Sequence, residues 1–474
     1  MRGIALHPIW SVWMSRMQAM PLAWPLAAGL ALGFFGPTLV SPALAQPELV
    51  RAAPARPVPT AAVTPLQHEI EDRVDSSLRP FYAARGYRPL WLNAAGGFDP
   101  AVGALVERIE TAELDAIRTG KLKARGLHDV LRRARSGDLD DLARAEMKLS
   151  ETFSRYVREM REVRHGAMLY ESEALAPAVP TLSVALQAAA ADSSLLRHVQ
   201  TMAWMHPFYA PMRDALKDRR FGERQRALIW HNLDRIRALP AQAAEKYVLV
   251  DAVSSRLWMY EGGKPVDSMR VVVGKAETPT PMMAGFLRFA IINPYWNVPP
   301  DLVQKTIATN VLDKGQDYLR TGRYQVLSDW SDDPALIDAE TVDWSEVAAG
   351  TRQVRVRQLP GGPNFMGKVK FEFPNPQGIY LHDTPARDLL RKTDRHLSNG
   401  CVRLEDAGRF GRWLLGRKLP LATKAAEQRI DLPQLVPVYI TYLTAMPQNG
   451  KIAFLTDPYG RDDAPRMASA TWSH

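Results

Sequence analysis

Cysteine is almost missing from this chain: Cys401 is the only one in 474 residues. An intramolecular disulfide, a four-cysteine zinc site and an iron–sulfur cluster are therefore excluded. Phosphate-cradling and metal-hydrolase signatures are also absent. The sequence holds no GxxxxGKS/T, no GxGxxG after a strand-like run and no HExxH, so neither a nucleotide cofactor nor a metal is expected. Ten histidines are scattered without ligand spacing. No repeat of about 20 to 50 residues is visible, which argues against a solenoid. Lys and Arg outnumber Asp and Glu by 60 to 51, a net +9, yet no long basic run concentrates that charge. The balance suits an anionic surface better than sequence-specific reading of nucleic acid, and no nucleic-acid partner is expected. Apolar residues at 46% and charged residues at 23% are ordinary globular usage, which excludes wholesale disorder.

Charge is missing altogether between Arg16 and Glu48. Arg2 and Arg16 precede an apolar stretch that closes on Ala43, Leu44 and Ala45, the pattern of a secretory signal over 1–45. Pro21, Pro25, Pro37 and Pro42 leave only about ten residues of unbroken apolar helix, short of the ~20 needed to span a membrane. Cleavage after Ala45 is expected, with no transmembrane helix in the mature chain. Loss of Arg2 and Arg16 would take the formal charge from +9 to +7. An exported chain with a single unpaired cysteine is unusual, because a lone thiol is a liability in an oxidising compartment unless it is buried or used.

Residues 46–65 carry five prolines and little that could form a core, and read as a stiff tether. From 66 to 240 the apolar spacing is helical, as in DDLARAEMKLSETFSRYVREMREV and ERQRALIWHNLDRIRAL. At Tyr247 the period changes to two. YVLVDAV, SRLWMYE and DSMRVVVGK predict a strand meander, and RFAIINPYW, QVRVRQL, VKFEFP, QGIYLHD, VPVYITYLT and KIAFLTD add strands. Helices are expected near Pro300–Val311 and immediately after Cys401. The fold class is thus α+β: a mostly helical domain (66–240), a predominantly β domain (245–446), and a final strand and tail (447–474). A polar, Trp-bearing insertion at 307–351 fits neither period and promises little core of its own. A segment of that length is expected to be a mobile cap.

Reactive chemistry concentrates in IYLHDTP followed by RHLSNGCVRLED. A free thiol of pKa about 8.5 is only slightly ionised at neutral pH, so a cysteine nucleophile needs an imidazole or a helix N-terminus to lower that value. His382 at a strand end and a helix after Cys401 would supply both. Gly400 permits the sharp turn that aims neighbouring amides at a developing oxyanion, with Ser398 and Asn399 shaping the turn. His396, five positions before Cys401, is the weaker candidate base. A buried structural thiol is the alternative for Cys401, but its polar flanks suit that role poorly.

His382, 15 intervening residues and Ser398-Asn399-Gly400-Cys401 resemble the catalytic signature of the L,D-transpeptidases with a YkuD-type domain. NPYWNVPP (293–300), VKFEFPNPQGIYLHDTP (369–385) and VPVYITYLTA (436–445) are similar to the long Gram-negative branch, as are FYAARGYRPLWL (81–92) and NLDRIRALP (232–240). Two departures stand out. Asn399 replaces the second histidine of the general motif, and HPFYAPMRDAL (206–216) runs almost directly into 232–240, leaving no room for the usual wall-binding module.

The resemblance implies a helical scaffold domain ahead of a catalytic domain, in a periplasmic enzyme of cell-wall biogenesis. Its partners would be peptidoglycan stem peptides, as donor and acceptor, and cell-wall synthesis proteins. His382 would take the Cys401 proton. The thiolate would attack the L-centre carbonyl of the third stem residue and expel D-Ala, and the thioester would pass to an amine to give a 3-3 crosslink, or to a D-amino acid or water. Hydrolysis would make the enzyme a carboxypeptidase or a lipoprotein-releasing amidase, and loss of chemistry would leave a wall-binding scaffold. Carbapenems would acylate Cys401. Tyr380 would line the cleft and help the oxyanion, or pack as an ordinary aromatic. Arg403 would hold a substrate carboxylate or pair with Glu405 or Asp406. Trp296 would line the cleft or be buried.

Overall fold

The computed structural model describes residues 63–93, 96–162, 168–241 and 244–462. The expected signal (1–45), all but the last three residues of the 46–65 tether, and the tail from 463 lie outside the described residues. Among the described residues the first element is the helix Pro65–Arg73, which starts one position before the expected 66. Thr64 forms a capping box with Gln67, and Pro65 sits at the first helical position, where its missing N–H costs nothing.

The helical half is organised by Leu139–Arg161, 23 residues started by the Asp138 carboxylate, which accepts from Asp141 N–H. Its Leu142, Leu149, Phe153, Tyr156 and Met160 fall at helical spacing on one buried face. Phe153 meets Trp91 and Trp204 edge-on, at 5.3 and 5.4 Å between ring centres.

The change of period near Tyr247 marks a change of architecture. Lys246–Asp251, Arg256–Glu261 and Lys264–Gly274 form the expected antiparallel meander. Lys264–Gly274 continues to Val402–Leu404, then Leu381–His382, Val369–Glu372 and Met283–Ile292. Gln428–Thr441 pairs with both Lys246–Asp251 and Met283–Ile292, so the sheet closes on itself. Phe371, Leu381 and Val402 point into a core completed by Phe410 of the helix Ala407–Leu415. The C-terminal hairpin, Ala445–Gln448 with Lys451–Phe454, belongs to the other half: Leu443, Ala445 and Met446 are buried in the helical core. Asn232 ties the two halves, giving its Nδ2 to Thr444 Oγ1 and accepting from Thr444 N–H, both at 2.9 Å.

The expectation of an insertion without a core is overturned. Trp296–Asn297, Arg355–Gln358, Tyr324–Leu327 and Leu336–Ile337 form a separate four-stranded sheet. It packs on helical segments between Pro300 and Lys314 and on Trp344–Ala349. Val298, Val303, Ile307, Val326, Trp344 and Val356 make a dry core. Trp344 is buried and donates its indole N–H to the Ala339 carbonyl, whereas Trp330 is exposed. The apolar residues were too widely spaced for one period to register, because short strands and short helices alternate.

Candidate active site

Strand register brings the reactive residues together. Leu381 lies opposite Val402 and His382 opposite Arg403, in parallel; Lys370 lies opposite His382 and Phe371 opposite Leu381, antiparallel. Because side chains alternate across a sheet, the core-facing row Phe371, Leu381, Val402 is flanked by rows that face outward. One row is Lys370, His382, Arg403. The other is Glu372, Tyr380, Cys401, with the Tyr380 carbonyl accepting from Val402 N–H at 2.9 Å. The expected helix directly after Cys401 is displaced: Val402–Leu404 is a strand and the helix starts at Ala407. A helix N-terminus therefore does not activate this thiol.

Cys401 is half-buried, and its thiol donates to the Gly378 carbonyl at 3.6 Å rather than to His382. Burial pushes its pKa up; the Tyr380 backbone N–H and the Arg403 charge oppose that rise, and Glu372 adds to it. The thiol is thus held protonated, contrary to the expectation of a lowered pKa. His382 is 1% exposed. Burial first and the Arg403 charge second bring its pKa down to about 3, against the Asp383 and Met366 carbonyls, which favour the cation. Its Nδ1 lies 2.6 Å from the Asp383 carbonyl. A carbonyl only accepts, so Nδ1 carries the proton and the lone pair is left on Nε2. Asp383 is itself fixed, accepting from Lys368 N–H at 2.8 Å and pairing with Arg387 at 2.5 Å. Gly367 has φ +63°, and a Cβ there would strike the Asp383 carboxylate, so only glycine lets these strands approach.

Gly400, at φ +114°, makes the turn before the thiol. Its N–H donates to Ser398 Oγ at 3.1 Å, and Ser398 Oγ donates to the Cys401 carbonyl at 2.6 Å. Ser398 shapes the turn as expected, whereas the Gly400 amide is spent inside it and is not free for an oxyanion. Asn399 is exposed beside it. His396 is occupied at both ring nitrogens, by Asp394 at 2.6 Å and by the Ala252 carbonyl at 2.8 Å, which leaves no lone pair for Cys401.

Arg403 does not pair with Glu405 or Asp406. Glu405 is held by Arg270, and Asp406 caps the following helix. Among the described residues no carboxylate lies within ion-pair reach of Arg403, and its Nε has no partner. Burial lowers its pKa, with the Cys401 charge acting the other way. Tyr380 lies under Lys370 Nζ at 5.3 Å, and burial raises its phenol pKa, helped by Glu372 and Cys401. Trp296 is half-buried and 4.9 Å from the exposed Phe365 ring.

Sequence reasoning missed Lys370, Glu372, Asp383 and Phe365. For the first two a signal existed. Lys370 and Glu372 alternate with Val369, Phe371 and Phe373, so they share the face that carries His382. A cavity of about 890 Å3 lies elsewhere, between Arg161, Ala185, Trp204, Pro240 and Tyr439, and no cysteine lines it. Among the described residues no His/Cys/Asp/Glu group could hold a metal, and no helix is long and apolar enough to cross a membrane.

The profile of the L,D-transpeptidase catalytic domain (YkuD) matches residues 245–440, and that of the Scaffold domain matches 76–216. A Haemophilus influenzae protein named "Putative L,D-transpeptidase" is 27% identical over 437 residues, 86% of this chain and 83% of that one. Among solved structures, an L,D-transpeptidase from Mycobacterium smegmatis covers 42% of this chain and 59% of its own, at 11% identity and TM-score 0.22. The catalytic domain of the E. faecium enzyme covers 42% of this chain and 98% of its own, at 15% identity and TM-score 0.18. A carbamoyl enzyme formed with avibactam is matched over about half its length, 51%. Superpositions this loose carry no residue from one chain to another. Behind a Scaffold domain at 76–216, this chain carries an L,D-transpeptidase catalytic domain of the YkuD type at 245–440.

Proposed function

We propose that this protein is a periplasmic L,D-transpeptidase that forms 3-3 peptidoglycan crosslinks through a thioester on Cys401. The observation that supports this most is the outward face on which register sets Cys401 and Tyr380 beside His382 and Arg403. The resting pair is neutral, thiol beside imidazole, so proton transfer to His382 Nε2 accompanies attack rather than preceding it. A donor stem binds with a carboxylate on Arg403, whose charge no carboxylate among the described residues neutralises. Its third-residue carbonyl displaces the thiol from Gly378. The thiolate forms as it attacks, and the oxyanion is met by the Cys401 amide and the Tyr380 hydroxyl. The protonated imidazole returns its proton to the departing D-Ala amine, and the acceptor amine reverses the sequence. Export follows from the signal-like segment 1–45. Neither a cofactor nor a metal is needed for these steps.

The test is analysis of muropeptides after incubation of purified wild-type and Cys401→Ala proteins with tetrapeptide-rich peptidoglycan. Crosslinked dimers that disappear in Cys401→Ala are expected. Tripeptide monomers alone would replace the proposal with a hydrolase, and products unchanged by the substitution would remove Cys401 from the chemistry.

A further inference from the structure

Phe365 is 40% exposed, an unusual position for a large aromatic ring, yet its backbone is held tightly. Its N–H donates to Gln358 Oε1 at 3.0 Å, and Gln358 is 1% exposed. The preceding Asn364 is fully buried; its Nδ2 reaches the Pro294, Gln358 and Leu359 carbonyls, and its Oδ1 accepts from Met366 N–H at 2.7 Å. The loop therefore presents the ring in one place. That place is 4.9 Å from the Trp296 ring and 5.9 Å from the Arg403 guanidinium carbon. An unpaired cation beside an apolar shelf fits a ligand with a carboxylate and an apolar side chain on the same residue.

Resting on the transpeptidase reading, we infer that Phe365 is a specificity-determining residue: with Trp296 it forms an aromatic shelf that selects an apolar side chain on the carboxylate-bearing terminal residue of the donor stem, the residue whose carboxylate Arg403 holds. The main-chain amide and the thiol chemistry are the same for every terminal residue, so selection made here appears in binding. An apolar side chain that leaves water for an aromatic surface gains on the order of tenfold in affinity over a bare glycine.

The experiment compares tetrapeptide donors ending in D-Leu, D-Ala or Gly, with release of the terminal amino acid as the readout for wild type, Phe365→Ala and Phe365→Tyr. Wild type is expected to prefer D-Leu over Gly about tenfold in kcat/KM, mostly through KM. Phe365→Ala should bring that ratio to within about twofold of one, while Phe365→Tyr, which keeps the ring, retains it. Thermal midpoints of the variants should match wild type, since the side chain packs no core. An unchanged ratio in Phe365→Ala overturns the inference while leaving the transpeptidase reading standing. Failure of every donor to acylate Cys401 in the wild-type protein overturns both.

Discussion

Arg213 in the helical half and Arg403 in the β half are both withdrawn from water, yet only the first has a carboxylate. Arg213 is fully buried and places its Nε 3.0 and 2.9 Å from the two oxygens of Asp115. Tyr156 and Tyr209 donate to the same carboxylate. Burial works against the Arg213 charge, and Tyr156 and Asp115 more than offset it, so its pKa rises. Arg403 shows the reverse: burial lowers its pKa, and among the described residues no anion answers it. A buried cation paired with a carboxylate fixes a fold, whereas in the proposed mechanism the unpaired one beside a thiol and an imidazole takes its partner from the donor stem. The cavity in the helical half is lined by no cysteine. Structure and chemistry are thus segregated along the chain.

That segregation can be broken at several points. Asp115→Asn leaves Arg213 buried without its counter-ion and should destabilise the protein by about 3–5 kcal/mol in urea unfolding, with kcat/KM per folded molecule unchanged. Trp344→Ala should cost about 3 kcal/mol by emptying the insertion core, while exposed Trp330→Ala stays within about 0.5 kcal/mol. A small loss at Trp344 would restore the picture of a coreless cap. Arg403→Gln should barely move the unfolding midpoint but lower kcat/KM by roughly 10- to 100-fold, the worth of about 1.5–3 kcal/mol for a hydrogen bond to a charged group.

The remaining tests concern pH. His382 and His206 both have pKa values brought down to about 3 by burial, below the ordinary 6.5. The unfolded chain binds protons that the folded chain refuses, so this stability is complete above about pH 6.5 and is lost as pH falls toward 3. His382→Asn should flatten part of that fall in urea titrations at successive pH values. Because the thiol pKa is raised, alkylation of Cys401 should still be accelerating above pH ~8.5. A plateau near neutrality would mean that a thiolate–imidazolium pair already exists at rest.

Long elements of one period were legible in the sequence. The 23-residue helix Leu139–Arg161 and the meander from Lys246 to Gly274 repeat one pattern long enough to be read. The insertion was not legible, since its short strands and helices alternate and its core assembles only when Val298 meets Val356 across the segment. At the candidate site, the spacing of His382 and Cys401 pointed to the proposed chemistry, and Gly400 marked the turn. The environment of the thiol was hidden, because it depends on the Gly378 carbonyl and on a strand, Val402–Leu404, placed where a helix was expected. The three residues that brace the site, Asp383, Gly367 and Asn364, act through tertiary hydrogen bonds or close approach, which no local pattern announces.

The most direct measurement is intact-mass spectrometry with peptide mapping after brief exposure of the purified protein to a tetrapeptide donor. Acyl transfer through a Cys401 thioester predicts one added donor acyl group, short of its terminal D-Ala, on the peptide containing Cys401, and no adduct in Cys401→Ala. Turnover with Cys401 unmodified at every time point, or an adduct on another residue, would contradict it.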